Sequence, residues 1–74
     1  MRESKQERFI RIAENRTNKI IALLRLLGNC ANTNNYDYSA ENVDKIFDVI
    51  KTEMNDAKNK FVSNKRKNID FKLE

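Results

Sequence analysis

Apolar residues recur at helical intervals in two stretches of the chain, residues 5–27 and 40–62, and thin out between them. In the first stretch Phe9, Ile10, Ile12, Ala13, Ile20, Ile21, Leu23, Leu24, Leu26 and Leu27 share an arc of about 220° on a helix. In the second, Val43, Ile46, Phe47, Val49, Ile50, Met54, Ala57 and Phe61 share a narrower arc of about 160°. The polar insert at 28–38 separates them, running from Gly28 to Tyr38. This pattern predicts an all-α chain, an antiparallel two-helix hairpin.

Local chemistry sharpens the boundaries. Ser4 followed by Glu7 is a capping box: the hydroxyl accepts from the Glu7 amide, and the Glu7 carboxylate accepts from the Ser4 amide. Gly28 follows the last leucines and suits the left-handed conformation that closes many helices. Ser39 is the expected N-cap of the second helix, with Tyr38 before it placed to pack on Val43. Acid-first pairs four residues apart, Glu7/Arg11, Glu41/Lys45 and Asp56/Lys60, would add slightly to helix stability. The insert is rich in asparagine, which bonds to its own nearby backbone in turns, and Tyr36 and Ala31 are expected to tuck against Leu27 and Phe47. After residue 62, Ile69, Phe71 and Leu73 alternate with Asp70 and Lys72 at the period of a strand. Residues 63–74 therefore read as a basic, extended tail, either disordered or ready to lie along a partner's sheet edge.

The arc of the first helix is broader than one partner helix covers. Antiparallel pairing sets Leu24 against Val43, Ile20 against Phe47 and Ala13 against Met54, because both helices rise by about 1.5 Å per residue. Ile10, Ile12, Ile21, Leu23, Leu24 and Leu26 then hold the surplus, which implies a homodimeric four-helix bundle or docking on a larger protein. The chain's length of 74 residues points the same way, since so short a chain rarely stabilises itself by its core alone. The single cysteine, Cys30, closes no internal bridge and reads as an unreactive side chain. With no histidine, a Cys/His metal site is excluded, and no cofactor is implied. Arg16 interrupts the apolar arc, and an ion pair with Glu53 on the second helix would satisfy it, fixing register.

Charge then divides the chain. Residues 1–28 carry seven cations against three anions, residues 29–62 four against six, and residues 63–74 four against two. A basic first helix and a basic tail thus flank an acidic second helix. On the polar face of the first helix stand Arg8, Arg11, Asn15, Asn18 and Arg25, interrupted by Ala22 and flanked by Glu7 and Glu14. Arginine and asparagine suit phosphates and purine edges, so this ridge is a candidate nucleic-acid surface, with Lys65, Arg66 and Lys67 adding electrostatic attraction. The other reading of the same residues is a solvated helix face. Tyr36 and Tyr38 read as packing residues before they read as base-stacking ones.

Several strings carry a resemblance: Arg16-Thr17-Asn18-Lys19-Ile20-Ile21, Leu26-Leu27-Gly28-Asn29-Cys30-Ala31-Asn32, Asn35-Tyr36-Asp37-Tyr38-Ser39 and Lys45-Ile46-Phe47. They resemble short, uncharacterised helical proteins of bacterial chromosomes, plasmids and phages, over residues 8–62. The resemblance implies a bacterial or mobile-element setting and brings no catalytic residues. No histidine, phosphate-binding glycine loop or paired-carboxylate pocket supports an enzyme. Lacking an apolar stretch long enough to cross a bilayer or begin a signal peptide, the chain is expected to be cytoplasmic. The sequence thus points to a nucleic-acid-binding accessory or regulatory protein, with a protein-binding regulatory subunit or inhibitor as the alternative.

Overall fold

The computed structural model describes the backbone of residues 2–73 and the side chains of residues 2–64. The described chain is all-helical and contains no strand. Helix α1 spans Lys5–Gly28, a single 3-10 turn follows at Asn29–Ala31, and helix α2 spans Ala40–Leu73. These fall into two units, Met1–Asp37 with α1 and the 3-10 turn, and Tyr38–Glu74 with α2.

Helix α1 begins where its capping box requires. The Glu7 amide donates to Ser4 Oγ at 3.0 Å and the Ser4 amide donates to Glu7 Oε1 at 2.8 Å, so two amides that the helix leaves without partners are satisfied together. Its other end departs from expectation. Gly28 is right-handed, with φ −60° and ψ −28°, and belongs to the helix. The left-handed closure is unnecessary because the chain tightens into the 3-10 turn, and the Asn29 amide is shared among the carbonyls of Arg25, Leu26 and Leu27.

Asn32 organises the turn that follows. Its side-chain oxygen accepts from the Asn34 amide at 3.0 Å, and its carbonyl accepts from the amides of Asn35 and Tyr36 at 3.2 and 3.0 Å. This is the local backbone bonding for which asparagine is suited in turns. Tyr36, whose amide closes this turn, is 53% exposed.

Helix α2 opens with a second reciprocal cap. The Asn42 amide donates to Ser39 Oγ at 3.0 Å, and the Ser39 amide donates to Asn42 Oδ1 at 3.1 Å. Ser39 is the expected cap, and Asn42 adds the returning bond that a glutamate gives at the start of α1. The helix then runs past residue 62 to Leu73. Its backbone over 63–73 is helical, which corrects the expectation of an extended tail. No glycine or proline follows residue 28 to end the helix, and Lys65-Arg66-Lys67 are good helix formers, so the two-residue alternation after residue 68 is overridden.

None of the described residues is buried. The most shielded apolar side chains are Ile12, Ala13 and Leu27 on α1 and Val43 and Ile50 on α2, all of them only half-buried. Each unit therefore presents its apolar stripe openly. Leu23 and Leu26 on α1 are 63% and 62% exposed, and Val49 and Phe61 on α2 are 62% and 63% exposed.

Candidate nucleic-acid interface

Helical geometry assembles the ridge on α1. Residues 8, 11, 15, 18, 22 and 25 follow alternating steps of three and four, which keeps them on one face along about 26 Å of helix. The side chains of Arg8, Arg11, Asn15, Asn18 and Arg25 are all exposed there. An open groove beside them is lined by Glu7, Ile10, Arg11, Glu14, Asn15 and Asn18. The ridge thus offers planar cationic forks and amides that both donate and accept hydrogen bonds, with two carboxylates along its border.

The strongest polar contact on this face was missed from the sequence. Glu3, which precedes the N-cap, reaches over the first turns of α1 to Arg11. Arg11 Nε donates to Glu3 Oε2 at 2.7 Å and Arg11 Nη2 donates to Oε1 at 3.0 Å, a bidentate pair. Arg8 Nε lies 4.0 Å from Glu3 Oε1. The Arg11 hydrogen bonds, supported by its charge, hold the Glu3 carboxyl below its ordinary range. The same contacts raise the Arg11 guanidinium further. Helix periodicity gave no warning, because Glu3 lies outside the helix and an eight-residue separation fits no neighbouring pair on a helix surface.

Glu7 illustrates the opposite outcome. It was expected to pair with Arg11 four residues on, but its carboxylate is committed to the cap. The Ser4 amide first, and then the Ser4 hydroxyl, hold the Glu7 carboxyl below its ordinary value. Backbone capping and the Glu3 fork together displace the expected Glu7/Arg11 pair. Among the described residues no ion pair joins Glu41 to Lys45 or Asp56 to Lys60 either, in keeping with the small worth of exposed pairs.

The remaining sequence expectations fall into place unevenly. Ile10, Ile21 and Leu24 are 45%, 39% and 39% exposed, and Leu23 and Leu26 more so, while Ile12 is half-buried. Arg16 is exposed on α1 and Glu53 is exposed on α2, each in its own unit. The side chains of Lys65, Arg66 and Lys67, and those of Ile69, Phe71 and Leu73, lie outside the described residues. Among the described residues, no group of acidic, cysteine or histidine side chains would hold a metal ion, and no helix is long and apolar enough to cross a membrane. Cys30 is exposed in the 3-10 turn.

Compared with known proteins, the chain matches no family model, and no curated protein or solved structure is detectably similar to it.

Proposed function

We propose that this chain is a small, non-catalytic accessory or regulatory protein of a bacterium or mobile element that binds nucleic acid in the cytoplasm through the polar ridge of α1. The observation that carries the reading is the exposed row of Arg8, Arg11, Asn15, Asn18 and Arg25 along one face of α1. Phosphate contacts from such a row position a protein on nucleic acid without reading sequence, and the amides add a capacity to read base edges. Lys65, Arg66 and Lys67 would extend the cationic surface.

The same reading includes self-association. Open apolar stripes on both helices favour an antiparallel hairpin of α1 and α2 that pairs with a second copy as a four-helix bundle. Burial of the stripes would leave the arginine ridge outside, and an Arg16–Glu53 ion pair would set the register. A second reading draws on the exposure of Leu23 and Leu26: Ile10, Ile12, Ile21, Leu23, Leu24 and Leu26 would dock on a larger protein partner, whose activity the chain regulates or inhibits.

Binding of labelled single- and double-stranded DNA and RNA at about 50 and 200 mM salt separates the two readings. A phosphate-contacting ridge loses affinity steeply between those conditions. No binding at the lower salt would reject the nucleic-acid reading and leave the protein partner.

A further inference from the structure

The Glu3 carboxylate occupies the fork of Arg11. Two of its oxygens meet the Arg11 fork side by side, at 2.7 and 3.0 Å, and Arg8 approaches the same carboxylate at 4.0 Å. A phosphate presents two oxygens to a guanidinium in the same planar arrangement. The Glu3 side chain is 32% exposed, whereas those of Arg8 and Arg11 are 61% and 58% exposed. The arginines are therefore open to a ligand from solvent while their best acceptor position is already filled from within the chain. Glu3 is not held by the helix ladder. It precedes the cap, and the cap is closed by Ser4 and Glu7 without it.

We propose that Arg8 and Arg11 form a phosphate site for a nucleic-acid backbone, and that Glu3 is its intramolecular occupant, displaced when a phosphate binds. This rests on the nucleic-acid reading of the ridge and adds its regulation. The exchange is one anion for another. Displacing Glu3 returns a carboxylate to water and to counterions, which offsets part of the counterion release that drives phosphate binding. A lone phosphate gains little from that exchange. A polyanion that also reaches Arg25 recovers the difference through contacts made elsewhere on the face. Glu3 thus sets a threshold that favours extended nucleic acid over small phosphates.

The test compares wild-type protein with Glu3→Gln, Glu14→Gln, Arg11→Gln and the double variant Glu3→Gln/Arg11→Gln, using a labelled 20-nucleotide DNA at several salt concentrations, with helicity followed by circular dichroism. Glu14→Gln makes the same change in charge beside the ridge. Glu3→Gln should tighten binding about two- to fivefold and steepen the salt dependence by about one phosphate contact. Glu14→Gln should change the slope little, and, measured against the single variant Arg11→Gln, the double variant Glu3→Gln/Arg11→Gln should show little of the gain that Glu3→Gln gives in wild type. Equal effects of Glu3→Gln and Glu14→Gln, or no effect of Glu3→Gln on a wild-type protein that binds, would overturn the displacement and leave the ridge intact. Absence of binding by both wild type and Glu3→Gln would overturn the ridge and the displacement together.

Discussion

Ser39 and Asn42 exchange hydrogen bonds at the start of α2, amide to hydroxyl at 3.0 Å and amide to side-chain carbonyl at 3.1 Å. Ser4 and Glu7 do the same at the start of α1, at 3.0 and 2.8 Å. The two caps share geometry and differ in charge: one returns its bond through a neutral amide, the other through a carboxylate. That difference makes the two helix starts respond differently to acid.

The Glu7 carboxyl titrates below its ordinary value of about 4.5, chiefly because the Ser4 amide donates to its charged form, and the Glu3 carboxyl is lowered chiefly by Arg11. A depressed carboxyl contributes stability that is present above the unfolded value and lost as pH falls through the folded value. The first turn of α1 should therefore loosen below about pH 4.5, while the start of α2, capped by Ser39 and Asn42, should hold. Amide exchange and chemical shifts at Glu7 and Asn42, followed from pH 6 to pH 2, read the contrast. Parallel loss at both amides would show that the caps do not set the acid response.

Removing the hydroxyls probes the same caps at neutral pH. Ser4→Ala and Ser39→Ala should each cost about 1 kcal/mol of local helix stability, because each strands an amide donor. Asn42→Leu should weaken α2 alone, whereas Asn42→Gln should preserve much of its start. Helicity and amide protection at the first turns would report the losses, and an unaltered Ser39→Ala protein would show that its cap contributes little.

Much of the helical structure is legible in the sequence because it depends on neighbours. Apolar spacing placed both helices, and Ser4, Glu7 and Ser39 marked their starts through contacts only three residues long. The failures occur where a local preference met a competitor. Gly28 was free to turn left-handed but met a 3-10 turn that satisfied the same carbonyls. The alternation of Ile69, Phe71 and Leu73 met a helix with nothing to stop it. At the candidate site, periodicity placed the arginines on one face, yet Glu3 escaped notice because its bond to Arg11 depends on how the chain enters the helix.

Exposure of the apolar stripe makes self-association testable at single positions. Leu23 and Leu26 are among the most exposed aliphatic side chains of α1, and a homodimeric bundle would bury them. Leu23→Glu and Leu26→Glu should shift sedimentation towards the monomer, since each would place a charge in the seam. An exposed substitution such as Asn15→Gln should leave it unchanged. A wild-type protein that sediments as a monomer at high concentration would remove the bundle and favour a protein partner for this face.

Arg11 and Arg25 belong to the same ridge but begin from different states. Arg11 is already engaged by Glu3, whereas no carboxylate lies within ion-pair distance of Arg25 among the described residues. An arginine without an internal partner gives up only water and counterions to reach a phosphate, so its net contribution to binding should be the larger. Arg25→Gln is therefore expected to reduce nucleic-acid affinity more than Arg11→Gln, and to lower the salt slope by about one unit where Arg11→Gln lowers it by less. Reversal of Arg8, Arg11 and Arg25 to glutamate should abolish binding at about 50 mM salt, because it replaces three attractive charges with repulsive ones along the ridge. Titrations of the single variants across salt would order the arginines. If Arg11→Gln proves the more damaging, the fork beside Glu3 is the stronger contact despite its internal partner. If the triple reversal binds as wild type does, the nucleic acid lies elsewhere on the protein.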